Sequence, residues 1–211
     1  MTKVDTSLNA EIFVVTGSSG SGKSSIVKKR LARHKRAIIL DPDDEYGDEK
    51  GVCTATSVSD LVDKVAATKG GQMKVRIVAQ TPQAFGAVCN IAFAWGNCLF
   101  IAEELAGGNR TTPSKAPADW HKIVSRGRKY GITVIGVTQR IAESDKTIIG
   151  NASHIFAGRM TRSADRKLIA REIDLPDVTL SGLRDLEFIV ADMRSHERFK
   201  LDVKTGKKEK I

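Results

Sequence analysis

The 211-residue sequence is poor in the features of secreted, membrane-spanning or metal-cluster proteins. Its three cysteines, Cys53, Cys89 and Cys98, are odd in number and form no C-x-x-C pair, which favours reduced thiols in a cytosolic protein. The four histidines are scattered, so they predict no metal site. The most apolar stretch, residues 91–102, is interrupted by Gly96 and Asn97 and is too short to cross a bilayer. The N-terminus lacks the apolar run of a signal peptide, so we expect neither secretion nor membrane insertion.

Acidic residues are outnumbered, and the formal net charge is +9 at pH 7. This excess favours a polyanionic partner, although net charge alone is a weak argument because many basic proteins bind no polyanion. The length suits one α/β domain. We expect a single domain over residues 1–203 and a frayed, lysine-rich tail over residues 204–211.

Residues 17–24 fit the phosphate-binding pattern G-x-x-x-x-G-K-[ST] at every required position. The β-branched, apolar run Ile12–Thr16 before them is typical of a buried parallel strand. The residues after them place Ile26, Val27 and Leu31 on one helical face. A Ser/Gly linker that happens to end in lysine would lack this flanking strand and helix. The sequence therefore predicts a phosphate loop between a strand and a helix.

Such a loop binds the phosphates of ATP through main-chain N–H groups and the partial positive charge of a helix N-terminus. Lys23 is predicted to reach the β- and γ-phosphates, and the hydroxyl of Ser24 to ligate Mg²⁺. The predicted nucleotide-binding residues are Gly17, Ser18, Ser19, Gly20, Ser21, Gly22, Lys23, Ser24 and Ser25.

Strand patterns alternate with helix patterns along the whole chain, which predicts a mostly parallel sheet with helices on both faces. The strands are predicted at residues 12–16, 36–41, 74–79, 98–102, 132–137 and 154–157, with a C-terminal β-hairpin formed by residues 187–192 and 197–203. Helices are predicted to begin at a capping box on Ser57, at Thr81-Pro82 and at a cap on Ser163, and another is predicted over residues 118–130.

Polar side chains follow three of these strands: Asp41, the pair Glu103-Glu104, and the pair Gln139-Arg140. Because strand ends form the sites in parallel sheets, this set favours nucleotide hydrolysis. The two glutamates after four apolar residues have the pattern of a Walker B element, in which the first acid binds Mg²⁺ and the second polarises water. The first acid is usually aspartate, so the division of labour between Glu103 and Glu104 stays open. The alternative is an acidic helix N-terminus, which the helix dipole also favours.

Gln139 is a candidate to contact the γ-phosphate and orient the attacking water, although a polar residue leaving a strand is common. Arg126, Arg128 and Arg140 are candidate arginine fingers, which neutralise charge on a transferring phosphoryl group. For each of the three arginines taken singly, a solvated or DNA-facing cation is the alternative.

Four pieces of the sequence together resemble the FtsK–HerA superfamily of DNA-pumping ATPases. They are the loop at 17–24, the Asp-Pro-x-x-Glu-Tyr of residues 41–46, the strand ending in Glu103-Glu104, and residues 127–132 leading to Thr138-Gln139-Arg140. The resemblance covers residues 11–192 in order. The short chain looks most like the genome-packaging ATPases of tailless, membrane-containing double-stranded DNA viruses.

This resemblance implies a RecA-like (ASCE) P-loop NTPase core, with an extra strand between the phosphate-loop strand and the Walker B strand. It also implies a homo-oligomeric ring, usually a hexamer, around double-stranded DNA, in which a neighbouring subunit supplies the arginine and Gln139 acts as the sensor. The function expected is ATP-driven translocation of a viral genome into a preformed capsid. Capsid vertex proteins are then expected partners, and the host cytoplasm or the packaging vertex of the virion the expected location.

Three other functions stay open. A small-molecule kinase would bind a hydroxylated substrate at the acidic turn of residues 41–49 and close a lid containing Arg159, Arg162 and Arg166. A non-motor protein would use nucleotide only to gate assembly. A helicase or conjugation pump of the same superfamily would be expected to carry accessory domains that this sequence lacks. The loop at 107–117 is a candidate DNA contact or an ordinary surface loop.

Overall fold

A computed structural model describes residues 4, 7, 9–68 and 70–211, with the main chain only at residue 109. The first residues of the predicted domain, 1–3, 5, 6 and 8, lie outside this part. The ten strands are β1 (Ile12–Thr16), β2 (Arg36–Leu40), β3 (Val52–Ala55), β4 (Met73–Ile77), β5 (Leu99–Ala102), β6 (Thr133–Thr138), β7 (His154–Ala157), β8 (Glu187–Asp192), β9 (Arg198–Asp202) and β10 (Lys208–Lys210). The α-helices are α1 (Lys23–Arg33), α2 (Val58–Ala67), α3 (Pro82–Trp95), α4 (Ala118–Arg126), α5 (Thr147–Gly150), α6 (Ser163–Glu172) and α7 (Asp177–Ser181).

The strands form one sheet in the order β10-β9-β8-β7-β1-β6-β5-β2-β4-β3. Every neighbouring pair from β3 to β7 is parallel, while β8, β9 and β10 add on antiparallel. Strand β6 lies between β1, which leads into the phosphate loop, and β5, which ends in the two glutamates. The predicted fold class, the inserted strand and the C-terminal hairpin are confirmed.

Helices cover both faces of the sheet, and successive residues of a strand point to opposite faces, so both sets of side chains are buried. Ile12 and Val14 of β1 belong to a core covered by α2–α7, whereas Phe13 and Val15 belong to a core covered by α1. This is why the central strands are apolar throughout rather than alternating. No helix of the described residues is both long and apolar enough to cross a membrane.

The predicted helix starts at Ser57 and Thr81 have the expected geometry. The Ser57 side chain accepts a hydrogen bond from Asp60 N, and the Thr81 side chain accepts one from Ala84 N, with Pro82 in the first turn. The prediction for Ser163 is wrong, because Ser163 is the first helical residue and Arg162 occupies the cap position without a side-chain bond.

Other differences have a clear physical cause. The helix predicted over residues 118–130 is shorter in the structure. Helix α4 ends at Arg126, and residues 127–130 form a 3₁₀ turn that ends at Gly131, which has a left-handed conformation. Strand β3 was not predicted, because it is a four-residue edge strand with two exposed side chains. The prediction of a frayed tail is also wrong for residues 208–210, because they form strand β10 and pair with β9. That segment is polar and exposed, so only its partner strand makes it a strand. The division of the chain at residue 203 stays a prediction.

Candidate functional site

The phosphate loop joins β1 to α1 and is built from close main-chain contacts. Gly22 caps α1 with φ of 98°, and a Cβ there would lie 2.6 Å from Leu186 Cδ2. A Cβ on Gly17 would lie 2.6 Å from Ser21 Oγ. Side chains at these two positions would therefore push the loop apart, which is the physical reason for glycine in the motif.

Lys23 begins α1 and folds back over the loop. Its Nζ donates to Gly17 O at 3.0 Å and to Ser18 O at 3.2 Å. Burial lowers the pKa of the Lys23 ammonium, while Glu104, Glu103 and Glu45 oppose that effect. The carbonyl oxygens of the loop thus bind the Lys23 ammonium group close to the place where a phosphate would lie, so a side-chain rotation can bring it to that phosphate.

The chain after β7 supports the outside of the loop, and the sequence reasoning missed this support. Ser18 N donates to Arg159 O at 2.8 Å, and Thr161 N donates to Ser18 Oγ at 3.1 Å. On the other side, Leu186 N donates to Ser21 O at 3.0 Å. Bonds between residues about 140 to 165 positions apart leave no local sequence signal.

Glu103 follows β5 and is almost fully buried, with 8% of its surface exposed. Tyr46, itself buried, donates its hydroxyl hydrogen to Glu103 Oε1. Burial raises the pKa of the Glu103 carboxyl to about 8, while the hydrogen bond from Tyr46 works in the opposite direction. The tyrosine therefore stabilises the charged form of this buried acid.

The turn at 41–46 is fixed by Asp41, which is fully buried. Its carboxylate accepts from Glu45 N at 2.8 Å and Tyr46 N at 3.0 Å, and Arg76 Nη1 donates to it at 3.0 Å. The same turn brings Glu45 to the loop, where Ser24 Oγ donates to Glu45 Oε2 at 2.9 Å. Tyr46 and Glu45 were not among the predicted site residues, although the Asp-Pro-x-x-Glu-Tyr pattern contains both.

Glu104 follows Glu103 with φ of 47°, in the left-handed region, which costs a residue with a side chain about 1–2 kcal/mol. Its Oε1 accepts a hydrogen bond of 2.9 Å from Gln139 Nε2. Gln139 comes directly after β6, the strand between β1 and β5. The inserted strand therefore brings the amide to the second acid.

Six of the nine predicted loop residues, together with the strand-end residues Asp41, Glu103, Glu104 and Gln139, open onto one cavity of about 320 Å³. It is lined by Ser19, Gly20, Gly22, Lys23, Ser24, Ser25, Asp41, Asp43, Glu45, Glu103, Glu104, Gln139 and Leu186. Gly17, Ser18 and Ser21 are not part of that lining; they form the base and outer wall of the loop through the contacts above.

The three candidate arginines lie at two opposite edges of the sheet. Arg140 is next to Gln139 at the carboxyl edge of the sheet and is ion-paired with Glu143. Arg126 ends α4, and Arg128 lies in the following 3₁₀ turn, which is joined to the start of β6 by a bond from Ile132 N to Gly127 O. Both are exposed at the amino edge of the sheet, away from the cavity of their own chain.

A magnesium ion suits the oxygen groups at the cavity. Ser24 and Glu103 line the same cavity, and hard oxygen ligands are those that Mg²⁺ prefers. Within the described part of the chain, no group of three or more His, Cys, Asp or Glu side chains is poised to hold a metal by itself. Few protein ligands are needed where substrate phosphates and water complete the shell.

The phosphate loop, the inserted strand and the acids at the end of β5 have the arrangement of the RecA-like fold of P-loop NTPases. No protein-family model matches the sequence. Protein P9 of Pseudoalteromonas phage PM2 is 25% identical over 190 residues, which span 87% of this chain and 84% of P9.

Solved structures give the same picture. The genome packaging NTPase B204 of Sulfolobus turreted icosahedral virus 2, in complex with AMPPCP, has a TM-score of 0.73 at 21% identity, over 90% of this chain and 96% of B204. VirB4 of Thermoanaerobacter pseudethanolicus has a TM-score of 0.63 at 13% identity, over 95% of this chain and 88% of that structure. At these identities the structures establish the fold. The predicted resemblance, to FtsK–HerA-type ATPases and most of all to genome-packaging ATPases, is confirmed.

Proposed function

We propose that this protein is an ATP-driven translocase of double-stranded DNA that packages a viral genome into a preformed capsid. The observation that carries the proposal is the cavity in which Lys23, Ser24, Glu103, Glu104 and Gln139 meet at the carboxyl edge of the sheet. The likeness to B204, a genome packaging NTPase of similar length, supports the coupling of that site to DNA.

In the proposed mechanism, Lys23 turns from the loop carbonyls to the β- and γ-phosphates of ATP. Ser24 and Glu103 would hold Mg²⁺, which would neutralise charge on the phosphate oxygens. Gln139 would exchange its bond to Glu104 for one to the γ-phosphate, and the freed Glu104 carboxylate would then orient and polarise the attacking water. The burial of Glu103 against Tyr46 favours Glu103 for the metal and Glu104 for the water.

Tyr46→Phe tests this division, because it removes the hydroxyl that stabilises charged Glu103. We expect the magnesium concentration for half-maximal binding of an ATP analogue to rise, or turnover to fall, by about 10–100-fold, the usual effect of losing a partner of a metal ligand. The chain's other tyrosine offers a matched control, since the Tyr130 ring packs on Phe93 with centroids 4.8 Å apart, away from the cavity. Equal magnesium dependence in Tyr46→Phe, Tyr130→Phe and wild type would argue against Glu103 as the metal-binding acid.

A ring of subunits accounts for the placement of Arg126 and Arg128. The amino edge of the sheet is cationic, with exposed Arg33, Lys35, Arg126, Arg128 and Lys129, whereas the carboxyl edge presents exposed Asp43, Asp44, Glu45 and Asp48. Head-to-tail contacts between such edges are heterologous and close into a ring when the rotation permits. We propose a hexameric ring in which Arg126 or Arg128 of one subunit completes the cavity of the next.

The DNA contact in this proposal is sequence-independent, because cations that bind backbone phosphates carry no base readout. The net charge of +9 supports such a partner. Among the residues of the 107–117 loop whose burial is described, residues 108 and 113–115 are exposed, whereas Arg110 and Thr111 are buried. Its role in DNA contact stays a prediction, as do binding at a capsid vertex and location in the host cytoplasm or at the packaging vertex.

One feature of the acidic turn weakens the kinase alternative. The Asp41 carboxylate already accepts two main-chain bonds and an ion pair, so it is not free for a hydroxylated substrate. The proposed lid arginines are also engaged, with Arg159 paired to Asp185, Arg162 to Glu143 and Arg166 to Asp177.

The deciding experiment compares ATP hydrolysis by wild type and by Lys23→Ala, with and without duplex DNA. We expect wild type to hydrolyse ATP faster with DNA, regardless of its sequence, and less so as salt is raised. Lys23→Ala should be inactive in both conditions, because the phosphates lose their cation. A DNA-independent rate accompanied by a phosphorylated small-molecule acceptor would favour the kinase, and capsids that fill with DNA despite Lys23→Ala would contradict a packaging motor.

A further inference from the structure

Arg110 is a buried cation beside the proposed catalytic acid, in the loop that follows β5. Only 4% of its surface is exposed. Its Nε donates to Glu104 O at 3.1 Å, and its Nη2 donates to the same oxygen at 2.6 Å. No carboxylate of the described residues lies within 4.0 Å of its guanidinium nitrogens. Burial lowers the pKa of Arg110. Burying a charge without an ion pair is unfavourable, so the two bonds to one carbonyl need a reason.

The residue held by these bonds has an unfavourable main-chain conformation. Glu104 has a φ of 47°, and its carbonyl also accepts a bond of 2.9 Å from Gly107 N. Three N–H donors thus converge on one oxygen. Glu103 N, on the other side of Glu104, donates to Leu40 O at 3.2 Å. With the preceding residue held, fixing this rigid peptide plane restricts rotation about the Glu104 Cα–C bond and thereby the direction in which the side chain leaves the backbone.

The surrounding loop is shaped to admit the guanidinium. A Cβ on Gly107 would lie 2.6 Å from Arg110 Nη2, and a Cβ on Gly108 would lie 2.9 Å from Gln80 O and 3.3 Å from Arg110 Nη1. The residue after Arg110 is anchored as well, since Thr111 donates from N at 3.0 Å and from Oγ1 at 2.8 Å to Leu105 O. Glycines and anchors on both sides make the arginine a fixed part of this strand end.

We propose that Arg110 is a positioning residue for hydrolysis, which holds the main chain of Glu104 so that its carboxylate faces the attacking water. The inference rests on the proposed function, in which Glu104 acts on that water. Arg110 itself is not among the residues that line the cavity, so it acts through Glu104. Its loss should therefore lower kcat and leave the KM for ATP near its wild-type value.

Arg110→Met tests this, because methionine keeps an unbranched buried side chain but donates no hydrogen bond. We expect kcat to fall by about 10²-fold, the scale reported for a small misplacement of a reacting group. Arg36→Met is the matched control. Arg36 also donates to main-chain carbonyls, to Asn97 O and Gly71 O at 2.9 Å and Gly96 O at 3.3 Å, but at the opposite edge of the sheet.

A comparable loss of kcat in Arg36→Met and Arg110→Met would overturn the proposal, because it would reflect general destabilisation. So would an additive loss when Arg110→Met is combined with Glu104→Gln, since a residue that acts through Glu104 has little further effect once that acid is gone. If Arg110→Met fails to fold, Arg110→Lys supplies one donor instead of two, and wild-type kcat in that variant would contradict the inference.

Hydrogen exchange in the empty protein tests the same contact without any turnover. We expect the peptide covering residues 103–111 to exchange faster in Arg110→Met than in wild type or Arg36→Met. Unchanged exchange in that peptide would overturn the inference, whether or not ATP is hydrolysed. A wild-type protein that hydrolyses no ATP but has the expected exchange pattern would instead count against the proposed function.

Discussion

Replacing Glu104 by glutamine is expected to slow ATP hydrolysis by about 10²–10⁴-fold, the range for loss of a general base, while ATP still binds. The amide preserves the shape of the side chain but cannot polarise the attacking water. It also leaves Lys23 and Ser24 untouched, and these are the side chains proposed to hold the phosphates and the metal. The measurements are steady-state phosphate release and equilibrium binding of an ATP analogue.

Two further variants make the result specific. Glu49→Gln alters an acid of the same edge whose described partner is Lys28, at 2.9 Å, and it should hydrolyse ATP at the wild-type rate. Glu103→Gln should mainly weaken magnesium binding, since Glu103 is the buried acid held by Tyr46. If Glu103→Gln instead keeps its magnesium affinity and loses turnover, while Glu104→Gln stays active, the roles of the two acids are the reverse of those proposed.

Removing the arginine that completes the neighbouring site is expected to slow hydrolysis by about 10³–10⁵-fold, the range for an arginine finger. The geometry predicts that Arg126→Ala or Arg128→Ala has this effect, because both side chains lie at the amino edge, away from their own phosphate loop. Arg140→Ala should have the smaller effect, since Arg140 is paired with Glu143 at the carboxyl edge of its own chain.

Mixing two inactive variants distinguishes an arginine in trans from one in cis. In a mixed ring, an arginine-deficient subunit retains its own Lys23 and can receive the arginine of a neighbouring Lys23→Ala subunit, so hydrolysis should partly recover. Lys23→Ala mixed with Glu104→Gln is the control, because those residues line one cavity and no complete site can form. The absence of recovery with either arginine variant, in rings shown to mix, would contradict the head-to-tail arrangement.

The elements that local patterns encode were predictable from the sequence. The phosphate loop has a fixed residue spacing and lies between a strand and a helix. The alternation of strand patterns with helix patterns along the chain indicated a parallel sheet. The caps at Ser57 and Thr81 depend on residues three positions apart, so they too were readable. The predicted cap at Ser163 was wrong by one residue, because helix α6 begins at Ser163 itself. Strand β10 was missed because an exposed polar segment becomes a strand only through pairing with a neighbour.

Some residues of the candidate site could be predicted from the sequence and others could not. Strand-end residues such as Glu104 and Gln139 could be proposed together because parallel strands end at one edge, and the fold does bring them within 2.9 Å. The tyrosine on Glu103 could not be proposed as its partner, because 57 residues separate the two and tyrosine is an ordinary core residue. Arg110 was not among the predicted site residues, since nothing in a Gly-rich loop indicates that one of its charges turns inward.

The sequence by itself determined that this protein has a phosphate loop, a parallel sheet and two acids at a strand end, since these depend on short spacings and on side-chain periodicity. Only the tertiary structure decided which partners meet those acids and on which edge each arginine lies. Strand order creates those contacts: β6 enters between β1 and β5, and the turn after β2 folds over the end of β5. Neighbours made by strand order are distant along the chain, so no local pattern records them.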